Sequence, residues 1–312
     1  MRNAFASEIT ALARQDERIV LLSGDIGNRL FNDFKQHCDG RFLNCGVAEA
    51  NMIGTAAGLA LSGLRPVTYT ITTFSTLRCL EQIRLDVCYH NLPVVVVGVG
   101  GGLSYSSLNA THHALEDLAI LRVLPNMTVL CPADQAEVRG ALRAACSHNG
   151  PVYIRLGKKG EPTVHAQAPA FQIGRWIPVR EGTDVCLLAV GNMVNVAQEA
   201  AERLATAGVS TSVLSCHTVK PLDERALAEA FATHELVASV EEHSVLGGFG
   251  GSVAEWLCER PAAKARFHRF GTADRFMYVA GEQEYAREFF GLSPEAIAEQ
   301  TAALYRRQPL RV

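Results

Sequence analysis

The chain has little net charge and no long hydrophobic run, and both absences narrow its class. Its 312 residues include 29 lysines and arginines and 32 aspartates and glutamates, so the formal net charge is −3. Such a balance indicates neither a nucleic-acid-binding tract nor a polybasic membrane surface. The longest apolar run, Leu92 to Val99, is too short to cross a bilayer. The first residues, Met1 to Ala6, lack the apolar core of a secretory signal.

The nine cysteines form no pattern that predicts a disulfide framework or a zinc site. Their number is odd, they are scattered from Cys38 to Cys258, and no Cys-x-x-Cys pair occurs. Most of them are therefore expected to be small core side chains. With the absence of a secretory signal, this usage predicts a cytoplasmic protein.

What the sequence does contain is a regular alternation of strand and helix patterns. Apolar, often β-branched runs are separated by helical segments throughout the chain, which predicts an α/β fold with mainly parallel sheets. The run from Pro93 to Val99 is apolar throughout and is expected in the centre of a sheet. The length allows two domains with full cores. Predicted strands cover residues 19–25, 66–71, 93–99, 127–132, 151–156, 184–190, 210–214 and 236–241.

The chain divides near its middle. Residues 157–169 combine glycine, lysine, proline and histidine without periodicity, as is typical of a linker. We therefore predict a first domain at 1–160, a linker at 161–175 and a second domain at 176–312, each with helices around a mainly parallel sheet. Two helix starts are also predicted, with Asp134 and Ser293 as N-caps.

A single carboxylate, that of Glu49, lies immediately before a helix rich in glycine and alanine. Small residues between Gly54 and Ala60 allow another backbone to come close, as in a buried seam. Taken alone, Glu49 could simply interact with the dipole of the helix that follows it. A carboxyl group in a dry seam is also suited to proton chemistry near neutral pH.

The residues around Glu49 favour a role in proton chemistry over a simple interaction with the helix dipole. Gly-Val-Ala-Glu-Ala-Asn-Met at 46–52 resembles the motif of the pyrimidine-binding domain in thiamine-diphosphate enzymes of the transketolase group. The resemblance implies that Glu49 is catalytic and binds the cofactor through N1′ of its aminopyrimidine. That bond favours the imino tautomer, whose 4′ nitrogen removes the C2 proton of the thiazolium. The cofactor then performs the difficult chemistry, while the protein sets its tautomer.

A second segment, residues 73–84, supports the same family. An isolated phenylalanine is usually a core residue. Here, however, the spacing resembles Phe-x-x-x-Arg-x-x-Glu-Gln-Ile-Arg in split transketolases. The resemblance implies that Phe74 packs against the aminopyrimidine and that Arg78 also belongs to the cofactor site.

A third segment, residues 102–117, is a Gly- and Ser-rich loop that ends in two histidines before a helix. No further ligand lies at a spacing that would support a metal site. The loop resembles Gly-Leu-Ser-x-Gly-Glu-Asp-Gly-x-Thr-His-Gln of transketolases, which implies that His112 binds substrate and transfers protons. His113 is either a second substrate contact or a residue behind it. Ser106 to Asn109 replace Gly-Glu-Asp-Gly, so the usual sugar-phosphate preference does not follow.

Two further candidates come from the same resemblance. Lys158 follows the last strand of the first domain, where a basic residue is usually just solvated. It aligns with the family arginine that holds a substrate phosphate. His243 lies in residues 240–251, which resemble the C-terminal domain of the family; it could be structural or contact substrate in a neighbouring site. The Gly-rich run beside it lacks the Gly-x-x-x-x-Gly-Lys-Ser/Thr pattern, so tight packing is predicted there.

One expected part of a complete transketolase is missing. The chain has no Gly-Asp-Gly followed by paired asparagines, the pattern that binds Mg²⁺ and the diphosphate. The resemblance therefore implies one subunit of a split transketolase, active only with a partner that supplies Mg²⁺ and the diphosphate site, in an α2β2 heterotetramer. The pair would transfer a two-carbon ketol unit from a ketose or ketose phosphate to an aldose.

Two alternatives remain open from the sequence. One is the beta subunit of a 2-oxo acid dehydrogenase, which shares both domains and also lacks the diphosphate domain. The other is a non-catalytic regulatory subunit that keeps the fold only to pair with another chain. Glu49 and His112 together argue against the regulatory role. The donor and acceptor, the partner and any self-association are not determined.

Overall fold

The computed structural model describes residues 1–27, 29–260 and 264–306, and strands alternate with helices along them. The end of the predicted second domain, residues 307–312, lies outside the described residues. The strands are β1 (Ile19–Ser23), β2 (Phe42–Asn44), β3 (Arg65–Ile71), β4 (Val95–Val99), β5 (Thr128–Leu130), β6 (Val152–Leu156), β7 (Ile177–Arg180), β8 (Val185–Ala189), β9 (Thr211–Ser215), β10 (Thr218–Lys220), β11 (Leu236–Ser244) and β12 (Arg266–Thr272). The α-helices are α1 (Arg2–Ala13), α2 (Asn32–His37), α3 (Glu49–Leu61), α4 (Thr72–Thr76), α5 (Leu80–Gln82), α6 (Asp117–Arg122), α7 (Gln135–Ser147), α8 (Met193–Thr206), α9 (Glu224–Thr233), α10 (Phe249–Cys258), α11 (Gln283–Phe290) and α12 (Pro294–Arg306).

The first sheet has the strand order β10-β5-β6-β4-β3-β1-β2. Its neighbours are parallel except for β10, which runs antiparallel to β5. The central strand β4 is buried along its whole length because helices cover both faces. Val95, Val97 and Val99 pack in one core with α1 and α7, whereas Val94 and Val96 pack in the other with α3.

The second sheet has the order β12-β11-β8-β9-β7, with only β7 antiparallel to its neighbour among these strands. Helices α8 and α12 pack together over one face, and α9 and α10 lie with the apolar residues of the other. The prediction of two mainly parallel sheets flanked by helices is therefore confirmed.

The two sheets are joined more closely than a simple linker would require. Strand β10 belongs to the second half of the chain, yet it extends the first sheet. The indole Nε1 of Trp176 donates to the carbonyl oxygen of Thr218 at 2.9 Å and ties the start of the second half to this strand. Asp134 accepts hydrogen bonds from the backbone of Val164 and His165 at 2.9 and 3.0 Å. The connecting segment is thus pinned to the first domain.

Several local predictions can be compared directly with the structure. Asp134 caps α7 by accepting from the N–H groups of Ala136 and Glu137 at 2.9 and 3.0 Å. Ser293 Oγ accepts from the N–H of Ala296 at 3.2 Å at the start of α12. Both predicted caps are confirmed. Strands β2, β7, β10 and β12 were not predicted, because they are short or only partly buried and lack a continuous apolar run.

The cysteines are free thiols, and all except Cys45 and Cys258 are buried, as expected for core side chains. Within the described residues, no helix combines the length and apolarity needed to span a membrane. No group of three or more His, Cys, Asp or Glu side chains in this part of the chain is arranged to hold a metal ion.

Candidate active site

Glu49 is the first residue of α3, and its side chain is only 3% exposed. One carboxylate oxygen, Oε2, accepts a hydrogen bond from Arg78 Nη1 at 2.8 Å. The other oxygen accepts no hydrogen bond from any residue that the structure describes. A Cβ on Gly24 would lie 3.5 Å from Glu49 Cγ and 3.0 Å from Thr70 Oγ1, so the strand end is packed closely against the carboxylate. Glu49 therefore has a fixed position and one available acceptor.

Phe74 and Arg78 lie beside this carboxylate, and we call the three residues the Glu49 corner. The Arg78 guanidinium lies 4.4 Å from the centroid of the half-buried Phe74 ring. The chain from Leu77 to Tyr89 is a succession of a 3₁₀ turn at Leu77–Cys79, the short α5 and a π-helical segment at Ile83–Tyr89. The 3₁₀ turn carries Arg78, whose Nη1 meets Glu49.

Cys79 adjoins the corner but is not a reactive thiol. Burial raises the pKa of Cys79 to about 12, and the charge of Glu49 adds to the effect. Because the thiolate is the nucleophilic form, Cys79 is inert near neutral pH. Its Sγ donates to the carbonyl oxygen of Phe74 at 3.1 Å.

His112 reaches the corner from residues 103–113, which we call the His112 loop. Its imidazole lies edge-on to the Phe74 ring, with the centroids 5.3 Å apart. Its Nδ1 is 2.9 Å from Thr111 Oγ1. Burial lowers the pKa of His112 below the ordinary value of 6.5, so the ring is neutral at pH 7 and can accept a proton. The corner and His112 thus form one continuous row of contacts.

Tyr105 and Lys158 continue this row away from Glu49. The Tyr105 ring lies 6.0 Å from the His112 ring, and Lys158 Nζ lies 5.1 Å from the Tyr105 centroid. Gly100 has a φ of +79°, and a Cβ there would collide with the Tyr105 ring. Sequence reasoning did not single out Tyr105. Lys158 therefore lies at the far end of the surface that begins at Glu49.

His113 points away from this surface. Its side chain is 5% exposed, and its Nε2 is buried without a hydrogen-bond partner among the described residues. Burial also lowers the pKa of His113. Of the two alternatives that the sequence left open, the geometry favours a residue behind the surface over a substrate contact.

Of the two roles that the sequence left open for His243, the geometry favours the structural one over a substrate contact. The ring lies on the interior strand β11 and is completely buried. Its Nε2 accepts from the N–H of Ala119 at 3.2 Å, and its Nδ1 donates to the carbonyl oxygen of Ser244 at 2.8 Å. With both nitrogens engaged inside the chain, the ring cannot touch a substrate in this conformation. We assign it to domain packing instead.

The Gly-rich run beside His243 also serves packing. The buried carboxylate of Glu241 accepts from the N–H groups of Phe249 and Gly250 at 2.7 and 2.8 Å. The N-terminus of α10 is therefore occupied by a side chain of the protein itself. This arrangement agrees with the predicted packing role and leaves no phosphate cradle at α10.

Sequence reasoning missed a buried polar group behind the His112 loop. Arg155 Nε lies 2.9 Å from Asp117 Oδ2, and the Tyr153 hydroxyl donates to the same oxygen at 2.7 Å. Asp117 and Arg155 are at most 6% exposed. Asp117 ends the segment 102–117 that carries the two histidines, and Arg155 lies shortly before Lys158. The two residues are 38 positions apart in the chain. Local spacing therefore gave no signal for the pairing.

Comparison with family models agrees with this geometry. The model described as "Transketolase, pyrimidine binding domain" matches residues 1–162. The model described as "Transketolase, C-terminal domain" matches residues 174–297. The chain belongs to the transketolase family.

Curated transketolase relatives match most or all of the chain. The 6-deoxy-6-sulfo-D-fructose transketolase subunit SqwH of Clostridium sp. (strain MSTE9) is 38% identical over 312 residues, which is 100% of this chain and 96% of that protein. A subunit of the apulose-4-phosphate transketolase of Phocaeicola vulgatus is 35% identical over 262 residues, covering 83% of this chain and 84% of that protein.

Solved transketolase structures give the same result. A structure titled "Split gene transketolase, inactive beta4 tetramer" has a TM-score of 0.89 at 34% identity and covers 98% of this chain and 99% of that one. Transketolase from Leishmania mexicana has a TM-score of 0.82 at 22% identity, and the match covers 99% of this chain and 46% of the Leishmania chain. At this identity the match supports the fold alone.

These matches identify the chain as a subunit of a thiamine-diphosphate-dependent, transketolase-like transferase. The alternative of a 2-oxo acid dehydrogenase beta subunit is not favoured, because the relatives that match along nearly their whole length are subunits of split transketolases. The prediction from the sequence motifs is thus confirmed at the level of family and reaction class.

Proposed function

We propose that this transketolase subunit provides the aminopyrimidine half of a thiamine-diphosphate site, while a separate subunit provides Mg²⁺ and the diphosphate site. The observation that carries the proposal is the free oxygen of Glu49. Its carboxylate is 3% exposed, one oxygen is held by Arg78, and the other has no donor in the described part of the chain. This oxygen is not among the fully enclosed polar atoms of the described residues, so it remains open to accept a hydrogen bond from a ligand.

The neighbouring residues fit an aminopyrimidine as that ligand. N1′ of the ring can donate to the free oxygen of Glu49, and the half-buried Phe74 offers an aromatic surface for the ring. When bound, the cofactor supplies the nucleophilic carbon that carries the two-carbon unit. Glu49 holds the proton at N1′, and Arg78 fixes the carboxylate through its other oxygen.

We assign His112 to act on the sugar. Because burial keeps its ring neutral at pH 7, it can accept a proton from a hydroxyl of the ketose or aldose and, once protonated, return it to a carbonyl oxygen. Its edge-on contact with Phe74 supports a role beside the proposed aminopyrimidine surface. We assign His113 the role of supporting the loop from behind.

Lys158 and Tyr105 indicate the class of donor. An ammonium at the far end of the surface suits a ketose that ends in an anion, and Lys158 is only half-buried, so it remains accessible. The names of two relatives specify a sulfo-sugar and a sugar phosphate, both of which carry such an anion. We therefore propose a ketose with a terminal phosphate or sulfonate as donor and an aldose as acceptor.

The kind of partner follows from the sequence pattern that this chain lacks, namely the one that binds Mg²⁺ and the diphosphate. We propose an α2β2 heterotetramer with a diphosphate-binding transketolase subunit, located in the cytoplasm as the free thiols suggest. The neighbouring structure of a split transketolase is titled an inactive tetramer of its beta subunit, which supports the need for a second subunit.

Calorimetric titration tests the shared site. Thiamine diphosphate with Mg²⁺ is titrated into this chain alone and into its complex with a candidate diphosphate-binding subunit. We expect saturable binding only in the complex, followed by transfer of a ketol unit from an anionic ketose. Absence of binding in a complex whose assembly is verified by size-exclusion chromatography would contradict the proposal and favour a regulatory subunit.

A further inference from the structure

The His112 loop is fixed at both ends by one residue of the second domain, Glu242 on β11. Its Oε2 accepts from the N–H of Leu103, the first residue of the loop, at 2.9 Å. Its carbonyl oxygen accepts from Arg155 Nη2 at 2.8 Å, and the same nitrogen donates to the carbonyl oxygen of Ala114 at 2.6 Å. Ala114 directly follows the loop. The side chain and the backbone of Glu242 thus hold opposite ends of the loop.

The two ends are also paired with each other. Gly102 and Ala114 exchange backbone hydrogen bonds of 3.1 and 2.9 Å, which close the loop at its base. A shift of the carboxylate would therefore act on the base of the loop, and not on Leu103 alone. His112 stands two residues before Ala114, so its ring position depends on this base.

The carboxylate itself is rigidly held. Glu242 is completely buried, and its Oε1 accepts from Arg287 Nε at 2.5 Å and from Gln283 Nε2 at 2.9 Å. Burial alone would raise the pKa of Glu242, but the charge of Arg287 and the hydrogen bonds to the carboxylate outweigh it and lower the pKa. Glu242 is therefore ionised at neutral pH, and each of these hydrogen bonds is strengthened by its charge.

Gly102 shows that the loop is built to receive this carboxylate. Its φ is +66°, a conformation that favours glycine, and a Cβ at this position would collide with Glu242 Oε2 and Cβ. The approach of the carboxylate to the Leu103 N–H therefore depends on the absence of a side chain at 102. This glycine is an observation independent of the hydrogen bonds themselves.

Glu241, the preceding residue, provides an internal comparison. It is equally buried on the same strand, but its oxygens bind the N–H groups of Phe249 and Gly250 at the start of α10. Within the described residues it donates to or accepts from nothing in the His112 loop. The Glu241 carboxylate thus stabilises an element of the second domain, whereas the adjacent Glu242 carboxylate holds the His112 loop of the first domain.

We propose that Glu242 is a positioning residue for ketol transfer, which sets the His112 loop so that the His112 ring lies against Phe74 and the substrate. The inference deepens the proposed function and rests on it for the role of His112. It gives the second domain a defined part in the reaction, although Glu242 touches neither substrate nor cofactor.

The test compares Glu242→Gln with Glu241→Gln in the assembled complex. For Glu242→Gln we expect kcat/KM to fall about ten- to a hundredfold, because small displacements of a reacting group are costly. The loss should appear largely as a higher KM for the ketose, with unchanged affinity for thiamine diphosphate. Glu241→Gln should lower the melting temperature but leave KM unchanged.

Hydrogen exchange of the backbone amides of residues 103–113 gives a readout that does not depend on activity. Exchange should be faster in Glu242→Gln and unchanged in Glu241→Gln. Asn192→Ala, which removes the hydrogen bond from Asn192 Nδ2 to Glu242 Oε2 at 3.3 Å, should produce a smaller change in the same direction and serves if Glu242→Gln does not fold.

Unchanged exchange of the loop in these variants would overturn the inference, as would faster exchange with wild-type KM and kcat. Failure of the proposed function has a different signature, namely a wild-type complex that binds thiamine diphosphate but transfers no ketol unit. In that case loop exchange still decides whether Glu242 sets the position of the His112 loop.

Discussion

The Glu49 corner and the His112 loop face each other across one surface, but they are held in place in different ways. The corner is made within the first domain, by α3, α4 and the turn that carries Arg78. The loop depends on the second domain: Leu103 N–H bonds to Glu242, 139 residues away, and Asn109 Nδ2 bonds to the carbonyl oxygen of Tyr278, 169 residues away. The Glu49 corner, to which we assign the cofactor, is therefore held by the first domain alone, whereas the His112 loop, to which we assign the substrate, is held by both domains.

The ion pair of the Glu49 corner and the ion pair that supports the His112 loop also differ in their exposure to solvent. Arg78, the partner of Glu49, is 47% exposed, so solvent screens its charge. Arg287, the partner of Glu242, is 15% exposed and binds a carboxylate that is completely buried. Breaking a buried pair leaves an uncompensated charge and is strongly destabilising. Loss of the Arg287 pair should therefore cost more stability than loss of the Arg78 pair.

Glu49→Gln should have the largest effect and defines the corner. A glutamine keeps the shape but cannot hold the proton at N1′, so turnover of the assembled complex should fall about 10²- to 10⁴-fold. The measurement is steady-state turnover at saturating thiamine diphosphate. Glu229→Gln, at an exposed position on α9, is the matched control and should keep wild-type turnover. Wild-type turnover of Glu49→Gln would remove Glu49 from the mechanism.

His112→Asn should have an intermediate effect and separates the loop from the corner. We expect kcat/KM to fall about ten- to a hundredfold through loss of proton transfer, while the affinity for thiamine diphosphate stays unchanged. His113→Asn is the companion variant: because His113 is buried, its main effect should be a lower melting temperature. Steady-state kinetics and calorimetry on both variants check this distinction. Equal kinetic losses in the two variants would contradict it.

Lys158→Met should have the smallest effect and examines the far end of the surface that begins at Glu49. A partly exposed charge pair contributes little, so KM for a ketose with a terminal phosphate or sulfonate should rise only about two- to fivefold. KM for a neutral ketose should not change. Lys159→Met, at the exposed neighbouring position, is the control. The comparison of anionic and neutral ketoses checks the assignment, and an equal rise for both would exclude recognition of the anion by Lys158.

The sequence by itself determined the fold class and predicted which residues form the Glu49 corner. Alternating strand and helix patterns are local properties, and they predicted two mainly parallel sheets because strand and helix periodicities differ. Glu49 starts a helix, and Phe74 and Arg78 are four residues apart, so their local arrangement follows from short stretches of chain. The resemblance to the family motifs predicted that Glu49, Phe74 and Arg78 belong to one site.

Only the tertiary structure decided which side chains of the loop and of β11 face the surface. His112 and His113 are adjacent, yet one lines the site and the other is buried; Glu241 and Glu242 bind different partners for the same reason. Neighbouring residues in a loop or strand point in different directions, and the direction that is buried depends on elements more than a hundred residues away. The sequence left the role of His243 open for the same reason, because its environment comes from packing between the domains, which no local pattern records.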